Sequence, residues 1–113
     1  MSFQKNAIMI INFLKNIFGS QNSQQLSEAI ENGATLIDVR SKAEFNSGSI
    51  DKAINIPLNE ISKHMEKLKY KGSIVVFCRS GMRSKQAQYI LQQAGIPHVF
   101  NGGSLMNMKK LIS

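Results

Sequence analysis

The segment Cys78-Arg79-Ser80-Gly81-Met82-Arg83-Ser84 holds the chain's only cysteine and two of its three arginines. It follows the apolar run Ile74-Val75-Val76-Phe77 and opens a helical pattern. In open α/β sheets, ligands bind beyond the carboxyl ends of strands, where the first amides of the next helix have no partner inside it. A loop with a central glycine, here Gly81, turns further amides inward as an anion nest. A free thiol has a pKa of about 8.5, and helix N-termini with nearby cations lower that to about 3.5–7.5. The chemistry read here is therefore a thiolate at the mouth of a sheet, with an oxyanion held beside it. A lone cysteine is usually a buried structural thiol. Its position between a buried strand and an Arg-Ser-Gly-x-Arg turn argues against that reading for Cys78.

Arginine use points the same way. The chain has eleven lysines but only Arg40, Arg79 and Arg83. A planar fork for a carboxylate or oxyanion requires arginine, whereas a solvated surface charge does not. Arg40 lies near Asp38 and Glu44 in a second charged segment. That trio reads as an ion-pair cluster at the top edge of the sheet, with a supporting role in catalysis as the competing reading. Gly102 and Gly103 read as a tight turn near the site. Met82 borders the site entrance or simply packs. His64 and His98, with one cysteine, do not offer metal-ligand spacing, so neither a metal nor a cofactor is expected.

These residues need a scaffold. Thr35–Val39, Ala53–Ile56, Ser73–Phe77 and His98–Phe100 read as short strands. Gln24–Asn32, Ser41–Asn46, Asn59–Leu68, Arg83–Ala94 and Leu105–Ile112 read as helices, with capping boxes at Ser41/Glu44 and Asn59/Ser62. Strands alternating with helices imply a mostly parallel sheet of four to five strands, covered on both faces in three layers. Residues 3–18 carry apolar side chains at helical spacing and form an N-terminal extension over residues 1–20; the main domain occupies 21–113. The apolar run Ala7–Ile11 is too short for a bilayer, which needs about 20 apolar residues. This amphipathic helix suits packing on the domain, pairing in a homodimer, or weak membrane contact.

The 113 residues fit one domain. One cysteine excludes an intrachain disulfide and fits a reducing compartment, so the cytoplasm is the expected location. The net charge is +7, and all of the excess comes after Glu66, where eight Lys/Arg face no Asp or Glu. The scattered lysines read as a solvated surface whose field also concentrates small anions. Nucleic acid is not an expected partner, because no aromatic-rich strand pair suited to stacking bases accompanies the charge.

Cys78-Arg-Ser-Gly-Met-Arg-Ser84 resembles the active-site loop of the rhodanese family. Leu36-Ile-Asp-Val-Arg40, Glu44-Phe45, Gly48-Ser-Ile50, Ala53-Ile-Asn-Ile-Pro57 and Asn101-Gly-Gly103 are similar to its other motifs in order and spacing. Ser49 replaces a frequent histidine, and Asn107 falls where many members carry tryptophan. The resemblance covers residues 22–112. It implies a five-stranded parallel α/β domain with Cys78 as nucleophile and no cofactor. A sulfane sulfur would pass from a small anionic donor such as thiosulfate, through a Cys78 persulfide, to cyanide, a thiol or a protein thiol. Two alternatives are a persulfide carrier without turnover, and a cysteine phosphatase or arsenate reductase. The related phosphatases use a Cys-x5-Arg loop, whereas this chain has Cys-x4-Arg, which favours sulfur transfer.

Overall fold

The computed structural model describes residues 21–113. The helix expected over residues 3–18, and the extension it belongs to, lie outside the described residues. Strands β1 (Thr35–Asp38), β2 (Ile54–Asn55), β3 (Ile74–Cys78) and β4 (Val99–Ser104) form one parallel sheet in the order β2-β1-β3-β4. The mostly parallel α/β architecture is as expected, with four strands among the described residues.

Strand β3 explains the layers. Successive side chains in a strand point to opposite faces. Ile74, Val76 and Cys78 join one buried cluster with Ile37, Val39, Ile61, Leu68, Ala87 and Leu91. Val75 and Phe77 join the other with Leu26, Ala29 and Met108. All five β3 residues are therefore buried, which is why the strand reads as an unbroken apolar run. The first face is covered by α4 (Met82–Gln93), a 3-10 helix (Leu58–His64) and α3 (Met65–Leu68). The second is covered by α1 (Ser23–Glu31) and α5 (Leu105–Ile112). The short α2 (Lys42–Asn46) follows β1.

Several boundaries differ from expectation for local reasons. Asn59–Leu68 is not one α-helix. It begins as a 3-10 helix at Leu58, and the expected Asn59/Ser62 box is absent because no side chain caps its start. Leu58 and Ile61 lie three apart, the spacing at which 3-10 side chains eclipse and share a face. Strand β2 is only two residues long, ending just before Ile56 and Pro57. Helix α1 starts one residue earlier than expected, with Asn22 and Gln25 forming a capping box.

The largest correction concerns Gly102 and Gly103. They are not a tight turn but part of β4, which runs on to Ser104. Val76 pairs with Asn101 and Phe77 with Gly103, so Gly102 is the extra residue of a β-bulge. A Cβ at Gly102 would collide with Met108 Sδ and press on Val75 Cγ1. Gly103 has φ +81°, a conformation that favours glycine. Asn107 donates its side-chain amide to the Gly102 carbonyl at 2.7 Å. Its neighbour Met108 is fully buried. Helix α5 thus docks without the tryptophan that many similar chains carry.

Candidate active site

Parallel pairing of β1 with β3 sets Asp38 beside Phe77, and the Val39 amide donates to the Phe77 carbonyl at 2.9 Å. The loops that follow these two strands therefore emerge together, although some forty residues separate them in sequence. Strand parity puts Cys78 on the face that α4 covers, directly before that helix begins.

Gly81 stands at the N-cap of α4 with φ +97° and has no side chain to cap the helix. The sulfur does that work instead. The Gly81 amide donates to Cys78 Sγ at 3.0 Å, and the Ser84 amide, at the third helical position, donates at 3.4 Å. The Ser84 amide is the one that an Asp or Ser cap side chain ordinarily satisfies. The Ser84 hydroxyl lies 3.5 Å from Sγ. Burial pushes the Cys78 thiol up, but bonds from the Ser84 hydroxyl and the amides of Ser84, Gly81 and Ser80 outweigh it. The thiol therefore ionises below its ordinary value.

Cys78 does not lie open at the mouth of the sheet, as the sequence led us to expect: it is 0% exposed. Arg79 and Ser80 are exposed beyond it, and Met82 is 69% exposed. The sulfur is enclosed yet electrostatically prepared, a combination that neither a plain core thiol nor an open nucleophile presents.

Asp38, Arg40 and Glu44 do not form one cluster. Asp38, fully buried, accepts from the Arg40 amide and binds the Arg40 guanidinium, with the shortest contact 2.7 Å. Ser49, at the frequent histidine position, donates to the Asp38 carboxylate at 2.7 Å. Arg40 also donates to the Gly48 carbonyl at 2.6 Å, so this pair fastens the segment after α2 to the end of β1. Glu44 belongs elsewhere. It takes a two-pronged bond from Arg83, at 2.7 and 3.0 Å. The Ser41 capping box fixes the same carboxylate through the Ser41 amide at 3.0 Å. Arg83 is thus anchored to α2. The bond to Arg83 holds the Glu44 carboxyl far below the usual carboxylate range, and the partnership raises Arg83 further.

A cleft of about 720 Å³ runs past this ion pair, lined by Val39, Pro57, Leu58, Arg83 and Ile90 among others. It borders the loop without reaching Cys78 itself. Among the described residues no cluster of His, Cys, Asp and Glu has the makings of a metal site.

The sequence reading named Asn101 only as part of a motif and gave it no role at the site. Its side-chain oxygen accepts from the Ser84 hydroxyl at 2.7 Å and from the Gly103 amide at 2.8 Å. The bulge brings this residue under the cysteine loop, and nothing in the local pattern of β4 announces a bulge except the glycine pair.

A family model described as a Rhodanese-like domain matches residues 22–104. The sulfurtransferase of Allochromatium vinosum is 35% identical over 79 residues, covering 70% of this chain and 72% of that protein. The thiosulfate sulfurtransferase PspE of Escherichia coli is 34% identical over 74 residues, covering 64% of this chain and 71% of that one. Among solved structures, the human single-domain sulfurtransferase TSTD1 superposes with a TM-score of 0.66 at 26% identity, over 80% of this chain and 95% of its own.

Proposed function

We infer the reaction from one premise: this chain belongs to the rhodanese-like sulfurtransferase family. Cys78 is the nucleophile, and its sulfur carries the transferred atom. The supporting observation is the sulfur at the cap of α4, receiving two amides and facing one hydroxyl, with its ionisation eased.

With thiosulfate as donor, the Cys78 thiolate attacks the sulfane sulfur. A new S–S bond forms, the old one breaks with its electron pair, and sulfite leaves. The product is a Cys78 persulfide anion. An acceptor such as cyanide, a thiol or a protein thiol then attacks the outer sulfur, and the Cys78 thiolate departs. Such two-step covalent transfer predicts ping-pong kinetics. Arg83, held by Glu44, and Arg79 at the exposed lip lend positive charge to the incoming anion. The loop residues Ser80, Gly81, Met82 and Ser84 supply the frame and its donors. Donor and acceptor reach the sulfur past the exposed rim of Arg79, Ser80 and Met82, and a thiol kept reduced suits the cytoplasm.

Incubation with thiosulfate followed by intact-mass measurement tests the reading. The wild-type chain gains the mass of one sulfur atom, the Cys78→Ala chain gains none, and cyanide removes the added mass as thiocyanate. Uptake without release to cyanide would make the chain a carrier. Hydrolysis of an aryl phosphate without sulfur uptake would replace the reading altogether.

A further inference from the structure

The Ser84 hydroxyl has one proton and three acceptors within reach. Asn101 Oδ1 lies at 2.7 Å, the Gly81 carbonyl at 3.1 Å and Cys78 Sγ at 3.5 Å. Ser84 is fully buried, so water cannot supply a missing bond. While Cys78 is a thiol the arrangement is consistent: S–H donates to Ser84 Oγ, and Ser84 O–H donates to Asn101. Once the thiol proton has left to bulk water, the sulfur is an acceptor only. Its best additional donor is the Ser84 hydroxyl, which must turn away from Asn101 to serve it.

The geometry assigns Asn101 the part of a positioning residue that competes with the Cys78 thiolate for the single proton of Ser84. Asn101 is well placed for this. Its Oδ1 keeps the Gly103 amide at 2.8 Å when the hydroxyl swings away, so the side chain is not stranded. Its Nδ2 faces the Gly81 carbonyl at 3.5 Å, which fixes which end of the amide meets Ser84. Gln21 in turn holds the Asn101 backbone, accepting from its N–H at 2.9 Å and donating to its carbonyl at 2.7 Å. The bulge of β4 therefore reaches the sulfur through one rotatable hydroxyl. The hydroxyl turns to sulfur when the thiolate forms and returns to Asn101 when a neutral inner sulfur of a persulfide replaces it.

This inference rests on Cys78 acting as a thiolate, and its test does not use sulfur transfer. Cys78 is the only cysteine, so the ultraviolet thiolate absorption, with Cys78→Ser as blank, reports its titration alone. The wild-type midpoint falls below the ordinary thiol value of about 8.5. Removing the competitor in Asn101→Ala lowers it further, by roughly half to one pH unit, the equivalent of one net hydrogen bond. Removing the donor in Ser84→Ala raises it by a similar amount. In Ser84→Ala/Asn101→Ala the Asn101 effect disappears. Mere loosening of the loop would move both single variants upward, toward an ordinary thiol, so opposite signs are diagnostic.

Equal upward shifts, or an Asn101→Ala effect that persists without the hydroxyl, would overturn the assignment. If Asn101→Ala does not fold, the near-isosteric Asn101→Leu also removes the competing acceptor without adding charge. Its midpoint falls, and the fall disappears in the Ser84→Ala background; a rise, or a fall that persists there, would equally overturn the assignment. A normal midpoint in every variant would defeat the thiolate reading itself, whereas normal thiosulfate uptake with same-sign shifts would defeat only the part given to Asn101.

Discussion

Arg83 and Lys85 sit two positions apart on α4 and carry the same formal charge, but their surroundings differ. Arg83 is half-exposed and held in a two-pronged bond by Glu44, whereas Lys85 is exposed. A cation fixed beside the sulfur acts on an arriving dianion without first losing side-chain freedom, while a mobile lysine must be ordered. Arg83→Ala therefore lowers kcat/KM for thiosulfate by roughly tenfold or more, the scale of one charged hydrogen bond, and Lys85→Ala leaves it nearly unchanged. Steady-state kinetics on both variants decide this; equal values would place Arg83 outside the reaction. At this scale the sequence made Cys78 and its loop legible, because the cysteine, glycine and arginines are adjacent in the chain. It did not reveal that Arg83 is tied to Glu44 or that Ser49 serves Asp38. Those bonds join segments brought together by folding, and no local spacing encodes them.

Among the elements, β4 has the strongest bearing on the site. At its bulge, the space that a side chain on Gly102 would need is already taken by Met108 of α5 and Val75 of β3. Gly102→Ala must displace one of them from a packed core, at a cost of about 1–3 kcal/mol, because overpacking is relieved only by strained rotamers or backbone shifts. Denaturant unfolding should show the loss as a lower midpoint with an unchanged slope; wild-type stability would mean that the bulge tolerates a side chain. Strand and helix identities were legible from periodicity, since β3 is apolar on both faces and α4 carries Ala87 and Leu91 inward. The glycine pair was misread as a turn because paired glycines serve turns and bulges alike. Only pairing with β3 separates the two, since it gives Asn101 and Gly103 partners and leaves Gly102 without one. The 3-10 start of the Leu58–Leu68 segment was hidden for a related reason: apolar residues three apart fit either helix over so short a span.

Across the whole molecule, charge and enclosure work together. Lys67, Lys69, Lys71, Lys85, Lys109 and Lys110 are all exposed, and the net charge is +7. A small dianion is drawn by that field over a distance set by ionic strength, about 30 Å at 0.01 M and about 8 Å at 0.15 M. The value of kcat/KM for thiosulfate accordingly falls several-fold over that range, while kcat at saturation changes little. Rates measured in sodium chloride at fixed pH check this, and salt-independent kcat/KM would mean that the lysines only solvate the surface. Enclosure governs what happens after arrival. Cys78 is 0% exposed, so any reactant meets the exposed rim of Arg79, Ser80 and Met82 before the sulfur. Oxidation of a cysteine follows its exposure as well as its thiolate character. The cover that a donor must pass thus also shields the sulfur between turnovers.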